Sequence, residues 1–322
     1  MRRGIYMKII GTGSALPAYT LTNAKLTEFL DTSDEWIVTR TGIHTRQVIT
    51  DETLLQLGTD AAKGALESAG VNGTDIDFII CTTLQGDTAT PSLACLLQKE
   101  IGAACPAIDL NGACAGFIYA LDMADAYFRS GKARRILIVS AEAMTRMVDW
   151  TDRATCVLFG DGAGAVVLEA GGRFVSRLTS AGNAAPLNIQ PYIGNSPFIK
   201  EPVPARLLYM DGPEIYKFAV SHSSADLKAV AEDAGLALDD ISYFILHQAN
   251  KRILDAVRVR LKQPEEKFLM NIQKRGNMSS ACIPVLIDEE RRAGRFVPGD
   301  VLALSAFGAG LTTGAAILEW AM

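Results

Sequence analysis

Helical stretches alternate along the chain with short runs rich in Ile, Val and Leu. Phe78–Ile80, Ile136–Val139, Phe244–Leu246 and Val301–Leu304 are continuously apolar rather than alternating, the pattern of strands covered on both faces. After Cys114, apolar residues at 117, 118, 121, 124 and 128 follow helical spacing instead. Helices interleaved with such strands predict an α/β protein whose sheets are sandwiched between helical layers.

The pattern also repeats. Glu67-Ser68-Ala69-Gly70 followed by Asp75-Ile76-Asp77-Phe78-Ile79-Ile80 recurs as Glu232-Asp233-Ala234-Gly235 followed by Asp240-Ile241-Ser242-Tyr243-Phe244-Ile245, at an offset of 165 without a gap. Each copy reads as a helix closed by glycine, a short loop and an apolar strand. The same offset of 165 carries Arg135–Ala141 onto Asp300–Ala306, and an offset of 150 carries Gly164–Glu169 onto Gly314–Glu319. Three ordered blocks point to a duplication, with one unit over residues 1–172 and the other over 173–322. Five of the twelve prolines (186, 191, 197, 202 and 204) mark a loop-rich insertion before the second copy resumes near Gly212. Two units suit 322 residues, more than one core usually organises.

Composition narrows the class. With 49% hydrophobic and 21% charged residues the chain reads as a well-buried globule. A net charge of −5 argues against coating nucleic acid or anionic lipid. No apolar run nears the ~20 residues of a membrane span, and Gly11-Thr12-Gly13-Ser14 interrupts any signal-like apolar segment. A cytoplasmic location is expected. The six cysteines show neither CxxC nor Cys/His ligand spacing, so no metal site is expected and most should be small buried hydrophobes.

In a duplicated α/β fold, loops after equivalent strands converge on one site. Cys114 lies in Asn111-Gly112-Ala113-Cys114-Ala115-Gly116, a small-residue turn between strand and helix. A helix start there favours the thiolate; a cysteine merely packed at a helix start fits the same pattern. His247 ends the repeated strand where the first copy has Thr82, and a hydrogen-bonded core histidine would sit there equally well. Asn277 precedes another helix near position 279, onto which Cys114 maps, and could be a simple N-cap. Only the duplication ties the three together. His44 and His222 read as solvated or structural.

Over nearly its whole length the chain resembles β-ketoacyl-acyl carrier protein synthase III, the initiating condensing enzyme of bacterial fatty acid synthesis. The motifs that carry the resemblance are Gly11-Thr12-Gly13, Asp31–Ile43, Ala113–Phe117, Phe159–Gly164, His247-Gln248-Ala249-Asn250 and Gly276-Asn277. It implies a duplicated, five-layered αβαβα thiolase-like fold, a homodimer, and Cys114, His247 and Asn277 as the catalytic set. It implies an oxyanion hole from the backbone of Cys114 and Ala309, and coenzyme A contacts from Thr32, Trp36, Arg40, Arg153, Gly212 and Asn250. The substrates implied are acyl-CoA and a malonyl group on acyl carrier protein, without a cofactor. Lys217, Lys251, Arg252, Arg258 and Arg260 would form a basic patch for that acidic carrier, although a solvated helix face reads the same way. Thr90 stands where some members carry a bulky Phe in the acyl pocket, so primers larger than acetyl are expected to fit. Ala309 departs from the usual Gly, Thr313 from Trp and Met278 from Thr. A related condensing enzyme or acyltransferase of secondary metabolism with another acceptor is the nearest alternative. A degradative thiolase would need a second cysteine within Phe307–Gly314, which has none, and a non-catalytic scaffold would not need Cys114.

Overall fold

The computed structural model describes residues 7–189 and 207–322. Four of the five prolines of the insertion lie outside them. In the first copy the main elements are β1 (Met7–Ala15), α1 (Asp34–Thr41), α2 (Leu54–Ala69), β2 (Phe78–Thr82), α3 (Leu93–Glu100), β3 (Ala107–Leu110), α4 (Gly116–Arg129), β4 (Arg135–Ala143) and β5 (Asp161–Ala170). The second contributes β6 (Phe174–Asn183), α5 (Gly212–Asp233), β7 (Tyr243–Leu246), α6 (Lys251–Leu261), α7 (Cys282–Arg292), β8 (Val301–Gly308) and β9 (Gly310–Glu319).

The first sheet runs β1-β5-β4-β2-β3, with β1/β5 and β5/β4 antiparallel and β4/β2 and β2/β3 parallel. The second runs β6-β9-β8-β7 with the same sequence of pairings, antiparallel twice and then parallel. Where the first sheet has β3, the second keeps only a parallel bridge between Phe244 and Phe268. Local detail is duplicated too. Asp75 accepts from the Asn72 N–H and Asp240 from the Ala237 N–H, each at 2.8 Å, so both copies turn into their strand through the same carboxylate-held loop.

Each strand sends alternate residues to opposite faces, and both faces are apolar, which forces layering. Ile79, Cys81, Leu137 and Val139 pack outward on α2 and α3. Their neighbours Ile80, Ile136 and Ile138 pack inward on α4, which shares a core with α7 and with Ile245, Leu302 and Leu304 of the second sheet. The opposite face of that sheet, Phe244, Ala303 and Ile317 among them, packs on α5 and α6. Five layers result, with α4 and α7 in the middle. The apolar residues 117, 118, 121, 124 and 128 of α4 are all buried, as their spacing predicts. Gly11 and Gly13 serve this packing: a Cβ at either would stand 2.3 Å from a carbonyl oxygen of α2. Of the cysteines, Cys81, Cys156 and Cys282 are buried, while Cys95 is exposed and Cys105 and Cys114 lie between.

Candidate active site

The middle helices start from matching strained turns. Ala113, one residue before Cys114, has φ +48°, and Ser279 has φ +50°, 166 residues later. Positive φ is uncommon for residues with a Cβ, and its occurrence at both helix entries marks a shared constraint. The 3-10 turns Ala113–Ala115 and Ser279–Ala281 pack against each other, so the two copies meet here.

A cavity of about 1000 Å³ opens at this junction, and Cys114, His247 and Asn277 all line it. Asn277 is held by main-chain bonds on either side of Phe159: its N–H donates to Leu158 O at 2.8 Å, and its carbonyl accepts from the Gly160 N–H at 3.0 Å. Its side-chain Oδ1 accepts from the Ser279 N–H at 2.8 Å, with Cys282 Sγ at 3.9 Å. That fixes the amide, leaving Nδ2 without a hydrogen bond among the described residues and available as a donor to the cavity. The His247 N–H donates to Ser305 O at 2.8 Å, and its ring meets Phe307 edge-on with centroids 5.4 Å apart. Its Nδ1 is buried without a partner among the described residues. Burial holds the imidazole down to about 3, against the Ser279 carbonyl, so His247 is neutral at ordinary pH.

At Cys114 the helix start is opposed by burial. Burial pushes its thiol up to about 12, against the opposing Ser279 hydroxyl and its own backbone N–H. A sulfur on the floor of a largely apolar cavity loses more from desolvation than a short helix start returns. The Phe307–Gly310 turn closes the other side. Gly308 lies so near Cys114 that a Cβ there would stand 2.7 Å from the Cys114 nitrogen. Ala309 also lines the cavity.

The mouth carries Trp36 and Arg40, with Gly212 and Asn250 also on the wall. The Arg40 guanidinium lies 4.4 Å and that of Arg153 5.2 Å from the Trp36 ring centroid, a flat charged platform. Arg153 reaches the platform without lining the cavity, and its Nη1 donates to the carbonyl of Asp31. Thr32 is not on the wall, and its Oγ1 is buried without a partner among the described residues. Asn250 caps α6 by accepting from the Arg252 N–H at 2.9 Å and donates to Arg40 O at 3.0 Å, tying the mouth together.

Other expected residues are not brought together. Thr90 is exposed on a loop beside Pro91 and does not line the cavity of its own chain, because the chain turns outward after Leu84. Of the basic residues, Lys217 and Arg252 reach the rim, with Arg252 5.9 Å from the Tyr216 ring centroid. Lys251 pairs with Asp255 at 2.7 Å, one helical turn on, and neither it nor Arg258 nor Arg260 lines the cavity. Met278 is buried with Leu16 and Val285, and Thr313 bonds Thr179 at 2.6 Å, so both departures are absorbed by packing. His44 and His222 are exposed. The apolar walls, from Leu84, Met144, Leu208 and Ile215, and the polar residues behind Cys114 carry no local signal in the sequence. Ser279 is the exception, because it is the repeat counterpart of Cys114.

Comparison with known proteins agrees with this geometry. The family model described as 3-oxoacyl-[acyl-carrier-protein] synthase III matches residues 108–182, and that of its C-terminal region matches 231–320. The chain is 43% identical to β-ketoacyl-[acyl-carrier-protein] synthase III of Xanthomonas campestris, over 99% of this chain and all of the relative. With the protein of that name from Clostridium beijerinckii it shares 42% over 98% and 99% of the two chains. The crystal structure of 3-oxoacyl-[acyl-carrier-protein] synthase III from Aquifex aeolicus superposes with a TM-score of 0.92 at 41% identity, covering 98% of this chain and 100% of that one. The priming β-ketosynthase of the R1128 polyketide pathway also reaches 0.92, at 33% identity over 100% and 98%. With full-length identity above 40%, the same five-layered thiolase fold and one cavity shared by the two copies, this chain belongs to the β-ketoacyl-[acyl-carrier-protein] synthase III family of condensing acyltransferases.

Proposed function

We propose that this chain moves an acyl group from acyl-CoA onto Cys114 and condenses it with malonyl-acyl carrier protein to give 3-oxoacyl-acyl carrier protein. The observation that carries this is the convergence of Cys114, His247 and Asn277 on one cavity whose mouth bears the Trp36–Arg40 platform. The platform suits an adenine face and phosphates, with Arg153 completing it. Cys114 attacks the thioester and coenzyme A leaves. The malonyl group then loses carbon dioxide, and the charge moves to its thioester oxygen. Neutral His247 and Asn277 Nδ2 face the cavity as donors for that oxygen. One preorganised donor of this kind is worth about 3 kcal/mol. The carbanion attacks the acyl carbon on Cys114, with the Cys114 and Ala309 N–H groups serving the tetrahedral oxygen. These bond changes need no metal or redox group.

Lys217 and Arg252 beside the mouth give an acidic carrier protein a landing point, with Arg258 and Arg260 further along α6 as an outer part of the patch. Thr32 would act by shaping the Trp36 segment rather than by lining the channel. A homodimer is part of this reading. Among the described residues no helix is long and apolar enough to cross a membrane. The likeness to a polyketide-priming ketosynthase supports a second reading, with the same first step and a different carrier as acceptor.

Intact-mass measurement tests the proposal. After exposure to acetyl-, isobutyryl- or octanoyl-CoA the protein should gain one acyl mass, lost on adding malonyl-acyl carrier protein with release of a 3-oxoacyl product. An adduct that forms but persists with every malonyl-carrier would remove the condensation step. Trp36→Ala should raise KM for acyl-CoA about tenfold, the scale of a partly desolvated cation–π contact, and leave KM for the malonyl-carrier unchanged. Equal changes in both would argue that Trp36 serves the channel rather than the nucleotide.

A further inference from the structure

The Trp36 platform is assembled from two segments far apart in the sequence. Trp36 and Arg40 ride on α1, whereas Arg153 belongs to the run of turns that also gives Val157 and Leu158 to the cavity wall. At the surface the two are joined thinly. Arg153 Nη1 donates to the Asp31 carbonyl and lies 3.4 Å from the fully exposed Asp31 carboxylate. An ion pair so open to water contributes little. The firmer connection lies underneath.

Arg46 sits there, on a small ribbon in which Thr45–Gln47 pairs with Thr20–Thr22. It is 0% exposed, and burial lowers its guanidinium to about 10, still a cation at neutral pH. Among the described residues no carboxylate is hydrogen-bonded to it; its fork reaches in two other directions. Nη2 donates to Val157 O at 2.7 Å, in the segment that carries Arg153. Nη1 donates to Asn23 Oδ1 at 2.8 Å and, at a longer 3.4 Å, to Leu21 O. Asn23, itself 1% exposed, spends both amide protons on the Trp36 side. Its Nδ2 donates to Asp34 Oδ1 in the first turn of α1 and to Ile43 O just past its end, each at 2.8 Å. One amide therefore grips both ends of α1, and one guanidinium joins that amide to the Arg153 segment. A planar fork holds two acceptors at a fixed spacing, which an ammonium group does not.

We propose that Arg46, acting through Asn23, is a positioning residue that sets Trp36 and Arg153 at the spacing needed to take the nucleotide end of the acyl donor. This deepens the acyl-transfer reading above and rests on it. Neither Arg46 nor Asn23 lines the cavity, so neither touches the reacting thioester. Loosening the link should let α1 and the Arg153 segment drift apart at the mouth while Cys114, His247 and Asn277 stay in place. Recognition of the adenine and phosphates should then weaken without a change in the chemical steps. A donor that stops short of the nucleotide should not sense the difference.

Acylation of the full chain by acetyl-CoA and by acetyl-pantetheine, which lacks the nucleotide and its phosphates, tests the link. The wild type should favour acetyl-CoA. Asp34 is exposed, so replacing it leaves the core intact. Asp34→Ala removes the acceptor for Asn23 and should raise KM for acetyl-CoA about fivefold, the scale of one hydrogen bond. Its kcat and its use of acetyl-pantetheine should not change. Asp34→Asn keeps an acceptor at that place and should bring KM back to near the wild-type value. Both variants lose the same charge beside the start of α1, so the difference between them reports the hydrogen bond alone. Arg46→Lys keeps the charge but loses the fork, and should raise KM for acetyl-CoA about tenfold or more, the scale for hydrogen bonds to a charged group. Should that variant not fold, the two Asp34 variants decide. An unchanged KM in Asp34→Ala, an equal loss with both donors, or no recovery in Asp34→Asn would overturn the positioning role. A wild type that uses both donors equally well would instead overturn the reading of Trp36 as a nucleotide platform.

Discussion

A Cys114→Ala protein is expected to bind acyl-CoA, gain no acyl mass and lose condensing activity by roughly four orders of magnitude or more, the scale for removing a covalent nucleophile. Cys114 is the only thiol on the cavity wall among the described residues, so no second thiol there can take its place. Cys114→Ser should also fail, because a buried hydroxyl is a far weaker nucleophile than a thiolate at the same position. Both variants should keep the wild-type denaturation midpoint within a degree or two. The Cys114 side chain lines the cavity rather than the packed core, and the change removes no main-chain contact. Intact mass and thermal unfolding on the same samples make the check. Full acylation of the alanine variant would displace Cys114 from its assigned role.

The second large effect is expected far away in sequence. Gly308→Ala adds one methyl group, yet it should reduce condensation by about two to three orders of magnitude, as loss of an oxyanion donor does. The new Cβ would stand 2.7 Å from the Cys114 nitrogen, 3.1 Å from the Ala113 Cβ and 3.3 Å from the Ala115 nitrogen. Two of those three atoms are backbone and cannot rotate away, so the Phe307–Gly310 turn must retreat from Cys114. The retreat would separate the Cys114 and Ala309 N–H groups proposed above to serve the tetrahedral oxygen. Overpacking of this kind also costs about 1–3 kcal/mol of stability. Chemical denaturation and steady-state turnover together measure both. Normal turnover in a variant with normal stability would mean that the turn is not held against the nucleophile.

Much of the site was legible in the sequence because duplication leaves local traces. Cys114, His247 and Asn277 each stand at a strand end or helix start of equivalent units, and the repeat alone placed the 114 and 277 loops opposite each other. Trp36 and Arg40 were legible only through resemblance. Thr90 does not line the cavity of its own chain, because motif position says which loop a residue occupies but not which way the loop turns, and this one faces outward. Lys251 looked like a free charge until α6 formed and put Asp255 one turn away. The burial that opposes the helix start at Cys114 was not legible, because a helix start is a local feature, whereas desolvation sums contributions from elements far apart in the chain.

The sequence by itself determined the alternation of helix and strand, the two copies and the residue types at their junction. Those depend on periodicity, turn chemistry and short-range order, which are written residue by residue. Only the tertiary structure decided that two strained turns lie back to back, that Asn277 presents its Nδ2 to the cavity, and that the buried Glu142 carboxylate is held by Ser280 of the second copy's turn. These depend on how two sheets pack through a shared pair of helices. That packing sets distances and burial between residues more than a hundred positions apart.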